Sequence, residues 1–252
     1  MLYTNVRNLV SNSKRDELKI LIEKNNVDIV GITETWGRSD ILDCEMDLPG
    51  FKLYRKDRSA IKEKKGGGVA LYVKNDLHSI EYGETNSTQC ESLWCKVYVS
   101  QVDFIVVGVC YRSQEADENE ISQLCGCIKT VTDLKCPVLI MGDFNYPGIN
   151  WSTLKADSEG SKFLKLVLDC YLDQHVHEPT RMKNILDLVL TNDLQLKDDV
   201  RITAPVGNSD HNILIWETES IKIMHGLVKH VYALIKQITI IGIYLYNINY
   251  LN

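Results

Sequence analysis

Polar side chains stand at the ends of several predicted strands, and their types together suit the handling of a phosphate ester. The clearest case is the stretch at 141–145, where the apolar run 137–140 ends and then presents Asp143 and Asn145. A short, continuous apolar run predicts a buried strand, and residues two apart in a strand point to the same side. An acid and an amide on one side can hold a water molecule and a phosphate oxygen. We therefore expect this strand end to be the centre of a site.

Similar polar residues follow other predicted strands along the chain. Several strands that each deliver one or two polar groups are a usual way of building a site on a rigid scaffold. Any one of these residues alone is more often a helix cap or a turn former, so the prediction depends on the whole set. The set consists of Asn5, Glu34, Tyr111, Asp143, Asn145, Asp187, Ser209, Asp210 and His211.

These residue types fit the hydrolysis of a phosphodiester. The substrate is anionic and its transition state gathers further charge, which a hard divalent cation such as Mg²⁺ neutralises with carboxylate oxygens and water around it. Glu34 is the best candidate ligand. His211 suits a cation or proton donor facing phosphate, and a carboxylate such as Asp187 would raise its pKa and fix its tautomer. Asp143 could orient or deprotonate the attacking water.

The elements that must position these residues follow from the apolar periodicity. Helices are expected from Ser11 or Ser13 to about 24, at 118–134 and at 158–170. Strands are expected at 1–5, 27–32, 51–54, 69–73, 93–99, 103–110, 137–142, 186–191, 200–204 and 212–217. Strand runs with interspersed helices predict a layered α/β or α+β domain with one or two central sheets.

Composition and cysteine spacing bound the class of protein. The chain has 252 residues, of which 44% are hydrophobic and 25% charged, as in an ordinary soluble domain. The net charge of −6 gives no overall nucleic-acid signature, but an acidic metal site adds negative charge itself and so a nuclease is not excluded. The eight cysteines contain no pair with zinc-site spacing. We expect them to be reduced, in an intracellular protein without a secretory signal.

The texture of the sequence changes after residue 220. Residues 221–252 are rich in Ile, Leu, Val and Tyr and contain no carboxylate. The apolar run at 238–246 is shorter than the ~20 residues that span a bilayer, and Lys229 and Lys236 interrupt any longer span. We therefore expect a domain at 1–220 followed by an apolar tail at 221–252 that packs loosely, rather than a membrane anchor.

Eight short motifs occur in a fixed order and together resemble one known family. They are 4–5 (TN), 32–36 (ITETW), 66–70 (GGGVA), 111–112 (YR), 142–145 (GDFN), 178–180 (EPT), 186–190 (LDLVL) and 209–211 (SDH). In this order they resemble the endonuclease/exonuclease/phosphatase superfamily, and within it the apurinic-type endonuclease domain of LINE-like (non-LTR) retrotransposons. The resemblance covers residues 1–220.

The resemblance implies a fold and an activity. The fold is an α/β four-layer sandwich of two packed mixed β-sheets flanked by helices. The activity is a Mg²⁺-dependent DNA endonuclease, for which Mn²⁺ is a second candidate ion, that leaves 3′-hydroxyl and 5′-phosphate ends. A monomer in the nucleus, with DNA as its partner and no small-molecule cofactor, is the expected form.

The resemblance also implies how the metal and the water are held. Glu34 would be the principal metal ligand, with Asn5 beside it. Asp210 would lie next to the metal or the water. Asp143 would activate the water for attack on phosphorus.

The remaining matched residues would act on the phosphate. Asn145 and Tyr111 would hold the scissile group, His211 would hydrogen-bond one of its oxygens, and Asp187 would orient His211. All of these positions are filled by the residue type that the family uses, which favours an active enzyme.

DNA contacts are assigned to three further residues. Arg112 is the preferred phosphate-binding cation because it follows Tyr111, while Ser209 and Thr180 would support the site and the phosphate. The basic stretch at 55–65 either tracks a phosphate backbone or is a solvated loop. The three glycines at 66–68 either shape the entry to a strand, the favoured interpretation, or cradle a ligand.

Two other functions stay open on the sequence alone. One keeps the fold and changes the substrate, as in a phosphatase for inositol phosphates or a phospholipid phosphodiesterase. The other is an inactive fragment that binds DNA or a partner. It is motivated by the absence of a Tyr-x-Asp-Asp transcriptase motif and by the tail, which does not resemble the family. These features are expected of an isolated or truncated element fragment, or of a host gene derived from one.

Overall fold

The computed structural model describes residues 1–58, 66–86, 89–193 and 200–218. Its strands are β1 (Leu2–Asn5), β2 (Ile29–Thr33), β3 (Phe51–Lys56), β4 (Val69–Lys74), β5 (Ser79–Glu81), β6 (Glu91–Tyr98), β7 (Phe104–Tyr111), β8 (Val138–Asp143), β9 (Ile149–Asn150), β10 (Lys155–Ala156), β11 (Asp173–Gln174), β12 (Asp187–Thr191), β13 (Arg201–Thr203) and β14 (Ile213–Ile215). Its helices are α1 (Asn12–Lys24), α2 (Gly83–Asn86), α3 (Glu118–Thr132) and α4 (Ser161–Asp169), with a 3-10 turn at Asp43–Glu45.

Two six-stranded mixed sheets form the middle of the fold. One has the order β13-β14-β1-β2-β4-β3 and the other the order β11-β12-β8-β7-β6-β5. Each sheet contains one parallel pair, β1 with β2 and β7 with β8, beside antiparallel neighbours. A parallel pair needs a long crossover, and α1 and α3 occupy these two crossovers.

Three apolar clusters bind the layers together. The cluster between the sheets joins residues such as Tyr3 and Leu71 of one sheet to Val107 and Leu139 of the other. A second cluster packs α3 and α4 on the outer face of the β8 sheet, and a third packs α1 on the outer face of the β1 sheet. The order helix, sheet, sheet, helix confirms the predicted four-layer sandwich.

Helix α3 shows why the main elements were predictable. Asp117 accepts a hydrogen bond from Glu120 N at 2.8 Å, and the Glu120 side chain accepts one from Asp117 N. Such a reciprocal capping box marks a helix start in the sequence, and the helix begins at Glu118 as expected. Helix α4 begins three residues later than predicted, since Asp157 Oδ1 accepts from Gly160 N at 2.8 Å and closes a turn first.

Two further predictions, the apolar tail and the lack of a membrane anchor, can be compared only with the described residues. The expected apolar tail at 221–252 lies outside them. Within the described part of the chain, no helix combines the length and apolar character needed to cross a membrane. The eight cysteines, all within the described residues, form no disulfide, and four of them are buried.

The strand directions bring the polar residues to one rim. Strands β1, β2, β7 and β8 end there, while β12 and β14 begin there because they run antiparallel to their neighbours. The register places Tyr111 beside Asp143 and Asp143 beside Asp187. In the other sheet it places Asn5 beside Thr33, one residue before Glu34.

Candidate active site

A polar opening of about 340 Å³ lies at this rim, where the ends of the two sheets meet. Among the described residues it is lined by Asn5, Arg7, Glu34, Trp36, Arg58, Gly66, Tyr111, Ser113, Gln114, Glu115, Asp143, Asn145, Arg181, Asp210 and His211. Seven of the nine polar strand-end residues predicted from the sequence are in this lining. The other two, Asp187 and Ser209, lie behind it and contact its members.

Asp143 is held in one orientation by amide groups from two chain segments. Its Oδ2 accepts from Asn5 Nδ2 at 3.0 Å, and its Oδ1 accepts from Asn145 N at 3.2 Å. Asn145 has a left-handed backbone with φ of 52°, and its Nδ2 donates to Arg112 O at 2.8 Å. The turn after β8 therefore places the backbone N–H of Asn145 against Asp143 at the end of the same strand, which explains how Asp143 and Asn145 share one site.

A buried histidine–aspartate pair stands beside Asp143. His211 Nδ1 lies 2.8 Å from Asp187 Oδ2, and His211 Nε2 lies 3.8 Å from Asp143 Oδ2. Tyr3 donates its hydroxyl to the other oxygen of Asp187 at 3.1 Å, and that hydroxyl is 2.8 Å from Thr33 Oγ1. Asp187 is thus fixed on both oxygens, and the imidazole presents Nε2 toward Asp143.

The protonation of this group follows from burial and from the proximity of its charges. Burial and the negative charge of Asp187 raise the pKa of Asp143 well above the usual carboxyl value, against the opposing effects of His211 and Asn5. Burial acts to lower the pKa of His211, but the hydrogen bond and charge of Asp187, helped by Asp143, leave that pKa raised. One proton is therefore readily shared in this cluster, and a bound cation would shift the balance toward the ionised carboxylate.

Glu34 reaches the opening from the other sheet on a constrained backbone. Its φ of 56° lies in the left-handed region that non-glycine residues seldom occupy, a strain that clusters at functional sites. Trp36 Nε1 donates to Glu34 Oε2 at 2.6 Å, and the Tyr111 hydroxyl donates to Oε1. Burial and the charge of Glu34 raise the pKa of Tyr111, so the phenol stays protonated and donates.

The glycines at 66–68 shape the entry to β4, as the favoured interpretation predicted. All three have positive φ, between 73° and 105°. Gly68 N donates to Glu91 Oε2 at 3.0 Å, and Gly68 O accepts from Thr35 N at 3.3 Å. A Cβ on Gly68 would meet the Thr35 hydroxyl. Gly66 also lines the opening.

Hydrogen bonds between the two sheets join the main polar residues. Asn5, Glu34 and His211 come from segments at the ends of β1, β2 and β14, while Asp143, Tyr111 and Asp187 come from β8, β7 and β12. These bonds include Asn5–Asp143, Tyr111–Glu34, His211–Asp187 and Tyr3–Asp187. The site is therefore assembled across the interface of the sheets, rather than on either sheet alone.

The donor set fits a divalent metal ion. Ligand atoms of Asp143, Asp187 and His211 lie within 4.8 Å of one another and could hold one. Both oxygens of Asp187 and the Nδ1 of His211 are engaged in hydrogen bonds. The two oxygens of Glu34 also accept hydrogen bonds, but this carboxylate borders the opening. Carboxylate oxygens beside solvent are the ligands that a hard cation prefers.

Asp210 sits at the edge of the opening between two arginines. Arg7 Nη1 lies 3.0 Å from Asp210 Oδ1, and Arg181 Nη2 lies 2.6 Å from Asp210 Oδ2. Burial alone would raise the pKa of Asp210, but the hydrogen bond and charge of Arg181, with His211 and Arg7, hold it below its usual value. Asp210 is therefore an ionised carboxylate at this edge.

The structure corrects the expectation that Arg112 contacts phosphate. Arg112 is only 3% exposed and is not part of the lining of the opening. Its Nη1 donates to Asn145 O at 2.9 Å, its Nη2 pairs with Glu159, and its guanidinium lies 4.1 Å from the centre of the Tyr146 ring. Arg112 therefore supports the turn that carries Asn145 from its buried side.

Thr180 and Ser209 likewise contact protein backbone, which corrects their assignment as phosphate-binding groups. Thr180 Oγ1 accepts from Leu186 N and Asp187 N, each at 3.1 Å. Ser209 donates its hydroxyl to Asn5 O at 2.6 Å and accepts from His211 N at 3.2 Å. Neither lines the opening. Thr180 fixes the start of β12, and Ser209 ties the His211 segment to the end of β1.

The structure describes only residues 55–58 of the basic stretch at 55–65. Arg55 is bound by Asp43 and Asp57 at 3.1 and 3.3 Å. Arg58 lines the opening but pairs with buried Glu91. Residues 59–65 lie outside the described chain. Its two described arginines are therefore committed to carboxylates of the protein.

Several residues of the opening were not assigned to the site from the sequence, although Arg58 belongs to the basic stretch considered there and Trp36 to a matched motif. Arg7, Trp36, Arg58, Gln114 and Arg181 all line the opening. Each lies within three residues of a predicted site residue or in the basic stretch, so proximity in sequence was an available signal for them. Tyr3, two residues before Asn5, carries the same signal, because alternate residues of a strand share a side.

Comparisons with known proteins agree with this geometry. The sequence family described as endonuclease–reverse transcriptase matches residues 105–215. A comparison with curated proteins finds no match. Among solved structures, the endonuclease domain of TRAS1, a telomere-specific non-LTR retrotransposon, is similar with a TM-score of 0.65 and 17% identity over 86% of this chain and 96% of that one.

Two further solved structures share the fold. An AP endonuclease from Leishmania major has a TM-score of 0.70 and 13% identity, covering 86% of each chain. A 3′ phosphatase from Neisseria, bound to product DNA hairpin, has a TM-score of 0.62 and 17% identity over 86% of this chain and 98% of that one. At these identities the likeness concerns the fold. With the family match at 105–215, it agrees with the resemblance read from the motifs: the chain has the fold of endonuclease/exonuclease/phosphatase proteins, and its residues 105–215 are similar to the endonuclease–reverse transcriptase family.

Proposed function

We propose that the protein is a Mg²⁺-dependent DNA endonuclease that nicks one strand and leaves 3′-hydroxyl and 5′-phosphate ends. The single observation that carries this proposal is the meeting, across two sheets, of Asp143 with the His211–Asp187 pair beside the open carboxylate of Glu34. This arrangement supplies a base, a proton donor and a cation ligand within one polar opening. Acyl transfer would need an activated nucleophile instead, and none of the residues paired here is a Ser or Cys.

Asp143 is the proposed base for the attacking water. Its two amide donors, Asn5 Nδ2 and Asn145 N, fix the carboxylate plane, so that the remaining lone pairs are aimed rather than free to rotate. Burial raises the pKa of Asp143, which makes it a stronger acceptor of the water proton once ionised. The cation, when bound, would favour that ionised form and neutralise charge on the phosphate.

His211 is the proposed donor to a phosphate oxygen. Asp187 holds its Nδ1 and raises the pKa of the imidazole, so Nε2 is able to carry a proton toward the opening. Tyr111 and Asn145 are proposed to hold the scissile phosphate, since both line the opening. Asn145 Nδ2 keeps one N–H beside the one given to Arg112 O, and the Tyr111 hydroxyl would exchange its bond to Glu34 for one to the phosphate. Their donors act in a partly buried site, where hydrogen bonds to anions are strengthened.

Glu34 is the proposed principal ligand of the cation, with Asn5 beside it and Asp210 next to the cation or the water. Glu34 is supported because Tyr111 and Trp36 already orient its two oxygens. Mn²⁺ is proposed as a substitute, since it accepts the same oxygen ligands. We also propose a catalytic domain at 1–220 that acts as a monomer in the nucleus.

Nicking of supercoiled plasmid in Mg²⁺ tests the proposal. Glu34→Gln and Asp143→Asn keep the shape of each side chain and remove its charge, and each is expected to slow nicking by about 10²–10⁴. Glu23→Gln is the matched control, because Glu23 is exposed on α1. Wild-type nicking no faster than that of the Glu34→Gln variant would contradict the proposal.

The chemistry of the ends gives a second, independent readout. Nicks with 3′-hydroxyl and 5′-phosphate ends are sealed by DNA ligase without further treatment, and we expect sealing here. Release of phosphate from inositol phosphates or lipid, with no plasmid nicking, would instead support the phosphatase or phospholipid phosphodiesterase alternative.

A further inference from the structure

Two arginines from distant parts of the chain converge on one carboxylate at the edge of the opening. Arg7 Nη1 lies 3.0 Å from Asp210 Oδ1, and Arg181 Nη2 lies 2.6 Å from Asp210 Oδ2. The side chains of Arg7 and Arg181 remain 47% and 28% exposed. Both guanidinium groups therefore contact the Asp210 carboxylate and are also exposed to solvent in the opening.

The charges of this trio do not cancel. Two guanidinium groups against one carboxylate leave one positive charge, which is the charge that a phosphodiester would neutralise. Each guanidinium has five N–H donors in a fork, and the bonds to Asp210 use one donor of Arg7 and two of Arg181. Most donors stay available to a further acceptor. Arg58, the third arginine of the opening, is instead matched by Glu91.

The backbone holds both arginines where they are. Arg7 has a left-handed φ of 47°, and the buried Lys14 donates to Val6 O and Arg7 O at 2.6 and 2.8 Å. Arg181 opens a tight turn in which Arg181 and Asn184 exchange backbone hydrogen bonds of 3.1 and 2.9 Å. Cations on a fixed backbone lose less freedom when a ligand binds, which favours recognition.

We propose that Arg7 and Arg181 form a clamp for a backbone phosphate of the DNA next to the scissile one, and that Asp210 competes with this phosphate for the two guanidinium groups. The inference rests on the proposed function, because the ligand belongs to its substrate. The position fits, since Arg7 N donates to Asn5 Oδ1 at 3.3 Å and Asp210 precedes His211. Guanidinium forks match phosphate oxygens bidentately.

The test is DNA binding without catalysis. Fluorescence anisotropy of a labelled duplex is measured in EDTA over a series of salt concentrations, for wild type, Arg7→Gln and Arg181→Gln. Each variant is expected to bind more weakly and to lower the slope of log affinity against log salt by about 1, the effect of one lost phosphate contact. Arg201→Gln is the matched control, because Arg201 is exposed at the opposite rim and donates to Asn25.

Asp210→Asn gives a result of opposite sign. Removal of the competing carboxylate is expected to tighten binding, whereas arginines that served only to position Asp210 would leave affinity and slope unchanged in all three variants. That second result would overturn the clamp. If a Gln variant fails to melt cooperatively, Arg7→Lys and Arg181→Lys replace it in the test. The Lys variants should keep the salt slope but bind DNA more weakly, because Lys lacks the guanidinium fork. Unchanged affinity in the Lys variants would count against the clamp.

The clamp and the proposed function fail in different ways. A wild type that nicks plasmid, but whose arginine variants keep the wild-type salt slope, overturns the clamp alone. A wild type that shows no salt-dependent affinity for DNA overturns both.

Discussion

His211 Nδ1 lies 2.8 Å from Asp187 Oδ2, and this bond fixes which nitrogen of the imidazole faces the opening. Asp187 has no freedom to turn away, since the Tyr3 hydroxyl donates to its other oxygen at 3.1 Å. The imidazole Nε2 is consequently held 3.8 Å from Asp143 Oδ2. Tyr3, which no motif marked, thus determines the orientation of the histidine through one intermediate carboxylate.

Tyr3→Phe should separate this positioning effect from simple packing. The ring is fully buried and is retained, while the hydroxyl that contacts Asp187 and Thr33 is lost. A buried acceptor left without its donor costs about 1–3 kcal/mol. We expect nicking to slow by roughly tenfold with an unchanged KM, as RT ln 10 is about 1.4 kcal/mol. Plasmid-nicking kinetics check this. A rise in KM alone would place the role of Tyr3 in substrate binding instead.

Asp143→Asn is expected to raise the melting temperature while it slows nicking by about 10²–10⁴. Burial raises the pKa of Asp143 in the folded protein above its unfolded value. A carboxyl with a raised folded pKa stabilises the fold below its unfolded pKa, and this contribution is lost as pH rises through the folded pKa. The neutral Asn avoids that loss, so the gain in Tm should be larger at pH 9 than at pH 5. Thermal melting at the two pH values measures it, and equal gains would contradict the assignment.

Addition of Mg²⁺ should stabilise the wild type through Glu34. A ligand that binds only the folded state adds RT ln(1 + [L]/Kd) to the free energy of unfolding, so the Tm should climb with Mg²⁺ concentration. Glu34→Gln should remove most of that climb, while Glu23→Gln on the exposed face of α1 should keep it. A melting series with EDTA as the zero point makes the comparison. A full climb in the Glu34→Gln variant would assign the cation to other ligands.

Two glycine substitutions should have effects of opposite sign. Gly68 has φ of 84° and a Cβ there would meet the Thr35 hydroxyl, so Gly68→Ala should destabilise by more than ~1 kcal/mol. Gly126 lies in α3 with open space around its Cβ position, so Gly126→Ala should stabilise by roughly 0.5–1 kcal/mol. Urea unfolding of both variants measures the difference. A neutral Gly68→Ala would show that the turn before β4 tolerates a side chain.

The sequence was sufficient for the residues that lie at strand ends in short motifs. Asp143, Asn145 and Asp187 were predictable because an apolar run fixes the strand and its period fixes which neighbours share a side. The two-residue strands β9, β10 and β11 were missed because so short a segment shows no period. Helix α3 was predicted from its apolar period and begins where expected, at a capping box, whereas α4 has no such box and begins three residues later than predicted.

Pairings between distant residues could not be predicted from spacing. Arg112 looked accessible beside Tyr111, but Glu159, 47 residues away, and the Tyr146 ring cover it in the fold. The contact between Arg7 and Asp210 joins positions 203 residues apart. Burial and charge pairing of this kind depend on how the two sheets pack against each other. The spacing of residues along one sequence does not specify that packing.

The hydrogen bonds that link polar residues of one sheet to those of the other, Asn5–Asp143, Tyr111–Glu34 and His211–Asp187 among them, give the chain a further property. Because of them, the geometry of the site depends on the distance between the two sheets. A truncation inside the apolar layer, such as Leu71→Ala, leaves every polar side chain in place but lets the sheets settle closer or farther apart. The geometry of the candidate site therefore depends on the packing of the inner apolar layer, so a substitution far from the rim is expected to act on the rim through the distance between the sheets.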